Sequence, residues 1–461
     1  MSKDKTKNMT EGNSIALIVQ FMMPLLAGNL FQQCYNLADS AIVGQTLGAL
    51  SLGAVGVSSS VQFLVLGFCI GSCVGCAVPV AQRFGAGDYR GMRRYIWHGI
   101  LLTIALGIAI TLVTAILCPQ ILHLLSTPDD IFAQAYQYLL IIFLGIPFTL
   151  LYNFTSSILR AVGDSRTPFL FLSVSTVLNI FLDLFCILIL HWGVAGAAIA
   201  TIGSQAVSGF LCLHYIIRKV EVLHIHPEDK VFSRKRMGDL FTMGIPMGLQ
   251  YSITAIGSMV MQSANNSLGT TYVSGFTAGM KIKQFAMCPF DALATSVSTF
   301  ASQNYGAGKT DRIRRGIKEG TIMGILYGVG IGLVLIFFGR NMSMIFVDSR
   351  ETAVLNAAGK YLRCMGYFYW VLGILNVVRM SIQGLGWTGW AILSGVVEMI
   401  ARCAVSFMFV PRFGYGAICW ADQTAWISAT FYVIPTLIVV LKKIEKQINS
   451  VKSSSVKSSI Q

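Results

Sequence analysis

Gln82-Arg83-Phe84-Gly85-Ala86-Gly87-Asp88 ends one long apolar run and returns 221 residues later as Gln303-Asn304-Tyr305-Gly306-Ala307-Gly308-Lys309 at the end of another. Each copy precedes a basic patch, where Arg93-Arg94 is answered by Arg314-Arg315. Upstream, Met23-Pro24 and Ile245-Pro246 stand in corresponding apolar runs. Downstream, Leu159-Arg160-Ala161-Val162-Gly163-Asp164 has a weaker echo in Ile382-Gln383-Gly384-Leu385-Gly386-Trp387. The chain is two related halves, so its fold is one design built twice. Repeats of this size in a membrane protein belong to transporters whose pathway runs between the halves.

The membrane assignment rests on composition. Of 461 residues, 54% are hydrophobic and 12% charged, against about 25% charged in an ordinary soluble domain. A spanning helix needs about 20 mainly apolar residues. Twelve such runs occur, near 16–43, 52–81, 95–118, 135–158, 168–190, 194–217, 240–267, 272–302, 316–338, 355–379, 390–411 and 415–441. Six fall in each half, and an even number returns the chain to its starting side, so the repeat is parallel. The expected fold is an all-α integral membrane protein with twelve transmembrane helices in two six-helix bundles around a central cavity. The expected layout is a tail over 1–13, an N-lobe over 14–217, a linker over 218–239, a C-lobe over 240–441 and a disordered tail over 442–461.

Cytoplasmic loops retain lysine and arginine. With both termini and every even-numbered connection inside, 26 of the 34 basic residues are cytoplasmic. Arg340, Arg350, Lys360, Arg363 and Arg412 fall outside, and Lys281, Lys283 and Arg402 at membrane depth. The net charge of +14 is then a topology signal with attraction to anionic lipid headgroups, and gives no reason to expect nucleic acid. Residues 1–13 are polar and too short to fold, and the first run is too long for a cleavable signal peptide. The tail beyond Lys442 is rich in serine and lysine, a composition of disordered segments.

Several motifs carry no chemistry. Gly306-Ala307-Gly308-Lys309-Thr310 looks like the end of a phosphate loop, but position 303 is glutamine where that motif needs glycine. Both copies read as helix-ending glycines, and with no nucleotide site an ion gradient is the simplest energy source. Cys73-Val74-Gly75-Cys76 is the only close cysteine pair, among small residues that let helices approach. The histidines form no ligand pair on a membrane helix, which argues against an intramembrane enzyme.

Charges at bilayer depth cost at least about 2.5 to 3.5 kcal/mol each and are functional candidates by default. In the first half they are Asp39 and Asp183. Tyr35, Asn36 and Asp39 share one helix face by spacing, as do Asn179 and Asp183. If those faces meet, two carboxylates share a pocket and cannot both ionise cheaply, so the pair can carry a proton. The same oxygens of Asp39, Asn179 and Asp183 suit a sodium ion. The alternative is that each aspartate bonds a neighbouring helix.

At this point the chain resembles the multidrug and toxic compound extrusion (MATE) transporters, the DinF-type prokaryotic branch in particular. The resemblance rests on Tyr35-Asn36-Leu37-Ala38-Asp39, the two Gly-Ala-Gly endings, Leu159 to Asp164, Asn179 with Asp183, and Gly193-Val194-Ala195-Gly196-Ala197-Ala198. It implies export of amphipathic organic cations against inward flow of protons or sodium, with no cofactor. It carries the coupling site over to Asp39, Tyr138, Asn153, Asn179, Asp183 and Thr201, and a helix kink to Pro24, where proline removes a backbone hydrogen bond. The expected partners are a small-molecule substrate and the lipid bilayer, with the chain a monomer in the cell membrane.

The second half departs from the NorM-type pattern of acidic residues in the seventh and eighth helices. Its seventh helix offers Gln250, Gln262, Asn265 and Asn266, with Met261 on the candidate cavity wall; its eighth has Lys281, Lys283 and Asp291; its eleventh has Glu398 and Arg402 at ion-pair spacing. With Tyr35 and Asn36 these are the candidate substrate-cavity residues. Met243, Met247, Met259, Met261, Met280 and Met287 suit either an adaptable wall or packing. A second reading is a flippase for lipid-linked saccharide or another anionic lipid, to which a basic cavity of Lys281, Lys283 and Arg402 is suited. By the repeat offsets, Asp39 falls opposite Val260 or Met261, and Asn179 and Asp183 opposite Arg402 and Ser406. The ion site is therefore expected in one lobe only.

Overall fold

The computed structural model describes residues 6–125 and 127–459. Among them every regular element is helical, as hydrocarbon demands of a backbone that can bond only within itself. In chain order the long helices are α1 (Ser14–Gly48), α2 (Leu50–Gly85), α3 (Tyr89–Leu124), α4 (Asp129–Leu144 continued by Ile146–Ala161), α5 (Arg166–Ile189) and α6 (Gly193–Lys219). Then follow α7 (Arg234–Asn266) and α8 (Thr270–Gly306), α9 (Thr310–Ser343), α10 (Thr352–Gly384) and α11 (Thr388–Phe413), and α12 (Tyr415–Ser459). Nine of these described helices are long and apolar enough to cross a membrane, and a tenth when the two parts of α4 count as one. The other two, α7 and α8, have the length but carry the polar residues already named. Ile104, Ile108, Leu112 and Ile116 of α3 and Leu326, Leu333 and Phe337 of α9 are exposed, a chemistry suited to lipid contact.

The repeat is visible in the backbone. Glycines at positive φ punctuate both halves at matching places: Gly48 and Gly269, Gly87 and Gly308, Gly163 and Gly386, Gly193 and Gly414. Only glycine takes such torsions cheaply, so these positions fix where each helix stops. Gly48, at φ 84°, separates α1 from α2. A π-helical turn closes α5 at Phe185–Ile189, and its counterpart lies in α11 at Val405–Phe409. α4 bends by 45° at Gly145, where Pro147 removes a backbone donor. Pro24 sits inside α1, whose one non-helical position is Gly48.

The chain packs as two compact units. Among the described residues the first comprises 6–7, Met23–Phe84 and Asp88–Ala255; the second comprises Asn8–Met22, Gly85–Gly87 and the chain from Ile256 to Ser459. Helices α1 and α7 therefore each divide between units, α1 beside Pro24 and α7 at Ala255.

Three segments differ from their sequence reading. The N-terminal segment is ordered where it joins the second unit: Met9 and Thr10 are buried. The Met9 N–H donates to Gln303 Oε1 at 2.8 Å, while Asn304, Lys309 and Arg312 donate to the Met9, Thr10 and Gly12 carbonyls. Four polar side chains capture a short peptide that has no apolar signal of its own. Beyond Lys442, α12 continues as helix to Ser459, and its Glu445 accepts from Arg314 at 2.6 Å. That ion pair is exposed, whereas Ile444 beside it is buried. Third, Arg379 lies inside α10 and bonds Glu398 at 2.5 Å, whereas the apolar run ending at 379 had placed it among the cytoplasmic residues.

The segment between α6 and α7 docks on the start of α3. Asp229 is buried and accepts from Arg93 Nε at 2.7 Å. Burial alone would raise its carboxyl, but the Arg93 hydrogen bond, the His226 N–H and the charges of both residues hold it below the usual range. Beside it, the Ser233 N–H donates to His98 Nε2 at 2.8 Å.

Candidate functional site

In the first unit, α1, α4, α5 and α6 bring the sequence-predicted polar residues together. Asp183 and Asn179 face inward from α5, one turn apart, with 0% and 1% of their surface exposed. Asp39 reaches the same place from α1, and its carboxyl meets that of Asp183 within hydrogen-bonding reach. Tyr138 of α4 is buried there beside Gln62 of α2. Tyr35 and Thr201 join hydroxyls at 3.1 Å. Asn153 donates to the Thr149 carbonyl at 2.8 Å, and Thr149 Oγ1 donates to Gln205 Oε1 at 2.5 Å. Gln205 in turn lines a small cavity with Tyr35, Ser175, Asn179, Thr201 and Ser204. Asn36 is exposed.

What stands out is what these groups lack. Both Asp183 oxygens, one Asp39 oxygen and both amide atoms of Asn179 have no hydrogen-bond partner. No salt bridge among the described residues reaches either aspartate. Buried polar groups are nearly always satisfied, and a buried carboxylate with neither a donor nor a cation is costly. Two carboxyls facing each other remove that cost by sharing a proton or by holding a small cation between oxygen ligands. The carboxyls, the Asn179 oxygen and the Thr201 and Tyr138 hydroxyls are a hard-oxygen set of that kind.

The second unit places its charges differently. Lys283 Nζ lies 2.5 Å from Asp422 Oδ2, Tyr361 donates to the same oxygen at 2.8 Å, and Arg402 Nε donates to Asp422 Oδ1 at 3.1 Å. Arg402 also contacts Glu398 at 3.3 Å, one helical turn away, and Arg379 completes the chain by bonding Glu398 and Asn376. Every carboxylate in this cluster is bound to cations. Lys281 lies over the Phe346 ring at 5.3 Å rather than against Asp291, which is exposed and within the field of Arg379. Gln262 bonds Asn266 one turn on, at 2.8 Å. Met261 is buried here, as are Met247 and Gln250 of the same helix in the first unit. The anionic-lipid reading needed Lys283 and Arg402 free, and both are taken.

Sequence reasoning missed Asp422 and Arg379. Asp422 is a lone carboxylate inside an apolar run, flanked by Trp420, Ala421 and Gln423. The same rule that singled out Asp39, charge at membrane depth, applies to it.

Known proteins agree with this architecture. The MatE family pattern matches the chain twice, over residues 24–185 and 246–408, one match per half. The protein called probable multidrug resistance protein YpnP of Bacillus subtilis (strain 168) is 32% identical over 421 residues, covering 91% of this chain and 92% of its own. Another from the same organism, called probable multidrug resistance protein YoeA, is 28% identical over 80% of this chain and 81% of its own. Among solved structures, a MATE protein in complex with MaL6 superposes with a TM-score of 0.90 at 21% identity, over 97% of this chain and 100% of that one. The chain belongs to the MatE family, the multidrug and toxic compound extrusion transporters. It is a multi-pass membrane transporter for small molecules and not an enzyme.

Proposed function

We propose that this chain is a secondary antiporter. It exports amphipathic organic compounds, cationic drugs or toxins among them, in exchange for protons or sodium, alternating between outward- and inward-open states with both termini in the cytoplasm. Asp39 and Asp183 are the coupling carboxyls, with Asn179, Tyr138, Asn153 and Thr201 completing their polar surroundings. One observation carries this reading: a buried acid pair that no cation among the described residues neutralises. Such a pair needs a counter-ion from outside, and its occupancy differs between states if access to it differs. Coupling then follows, because an ion shifts a conformational equilibrium only by its difference in affinity for the two states. The names of the relatives above support a drug-like substrate.

The decisive measurement is efflux from reconstituted vesicles under separately imposed proton and sodium gradients. Asp39→Asn is expected to abolish gradient-driven efflux while leaving membrane insertion intact. Wild-type efflux from that variant would remove Asp39 from the coupling site.

A further inference from the structure

We propose that Lys283 and Arg402 are built-in cations occupying, in the second unit, the place that the first unit keeps for an exchangeable ion. Asp422 is then the carboxylate of a locked ion site. This rests on reading Asp39 and Asp183 as the exchangeable site.

The paired positive-φ glycines register one half against the other. With Gly48 on Gly269 and Gly87 on Gly308, Gln62 falls on Lys283. With Gly163 on Gly386, Tyr138 falls on Tyr361 and Asn179 on Arg402; with Gly193 on Gly414, Thr201 falls on Asp422. The four residues so reached in the second unit are in mutual contact around one carboxylate, through Lys283 Nζ at 2.5 Å, the Tyr361 hydroxyl at 2.8 Å and Arg402 Nε at 3.1 Å. Their counterparts in the first unit surround Asp39 and Asp183. The tyrosine is kept in both units. Where the first unit has the neutral amides Gln62 and Asn179, the second has an ammonium and a guanidinium, and its acid has moved from α1 and α5 to the α6-equivalent helix, α12.

All four second-unit groups are at least nine-tenths buried, so Asp422 cannot exchange its counter-ion with solvent while Lys283 and Arg402 stay in place. The neighbouring Glu398 is neutralised by Arg379 and shares Arg402 with Asp422. The second unit thereby contributes fixed electrostatics, and the number of ions moved per cycle is set by the first unit alone.

Removing the tethered cations should open the site. The pair Lys283→Gln with Arg402→Asn installs the residue types of positions 62 and 179 and leaves Asp422 beside Tyr361 without a cation. The measurement is proton release on an upward pH jump, and sodium binding, in purified full-length protein. In an Asp39→Asn, Asp183→Asn background the first-unit count is expected to vanish; if it persists, the reading of the first unit fails, whatever the second does. Adding the Lys283 and Arg402 changes is expected to restore about one proton or sodium per chain, lost again on Asp422→Asn. No restored ion, or one that survives Asp422→Asn, overturns the locked site. Should the combined variant not fold, single variants decide. The melting temperature of Lys283→Gln should depend on sodium or pH where that of Lys283→Arg does not, and identical behaviour of the two overturns the proposal.

Discussion

The two units solve one problem in opposite ways. Each holds carboxylates at a depth where an unpaired charge is costly. In the first, Asp39 and Asp183 face each other with no cation among the described residues. In the second, Asp422 and Glu398 are saturated by Lys283, Arg402 and Arg379. The connecting helices differ in the same sense: α4 bends at Gly145, while its counterpart α10 runs unbroken from Thr352 to Gly384. One duplicated scaffold can thus hold a site that needs an outside partner and another that is complete in itself. On the proposed reading, a counter-charge on the chain makes a fixed element and its absence an exchangeable site.

The largest test of this contrast is to remove one acid from each unit. Asp422→Asn leaves Lys283 and Arg402 buried without their shared anion and should cost about 3 to 5 kcal/mol of stability, read as a lowered melting temperature and yield of folded protein. Asp183→Asn removes like-charge repulsion and no ion pair, so stability should stay within about 1 kcal/mol or rise while coupled efflux is lost. Equal destabilisation by the two variants would break the contrast.

A smaller effect tests whether the second unit is rigidly packed. Along α9, Gly324, Gly328 and Gly332 meet the backbone of α10, and a Cβ at Gly332 would come within 2.5 Å of the Gly366 carbonyl. Gly332→Ala should cost about 1 to 3 kcal/mol by overpacking, visible as a lower melting temperature. In the first unit, the Arg93–Asp229 pair gives a pH signature. Its carboxyl is depressed on folding, so its contribution is present above the ordinary aspartate value of about 3.9 and is lost as pH falls through the depressed one. Protection of the 221–233 backbone from hydrogen exchange should fall in that acid range, and Asp229→Asn should remove the dependence. The least effect is expected at the exposed pair Arg314–Glu445, where Glu445→Gln should change stability by less than about 1 kcal/mol.

Helix positions were legible because each span is a run of apolar residues bounded by glycine or charge, and the repeated Gly-Ala-Gly endings marked the same stops in both halves. Asp39, Asn179 and Asp183 were legible for the same reason, as polar residues in apolar runs at one-turn spacing. Asp422 met the same rule of a charge inside an apolar run, but its own run shows nothing of what it bonds. Its partners come from α8, α10 and α11, far apart in sequence. Arg379 was passed over because it stands at the end of its apolar run, and its partner Glu398 lies on the next helix. The N-terminal segment was unreadable because its order comes from Gln303, Asn304, Lys309 and Arg312 and not from its own composition.

The sequence by itself determined the membrane class, the duplication and the helix order, all of which follow from hydropathy and glycine placement along a single strand of text. Which carboxylates are free and which are neutralised was decided only by tertiary structure. A counter-charge acts through space across a few ångströms, and the residues that supply it to Asp422 lie 20 and 139 positions away.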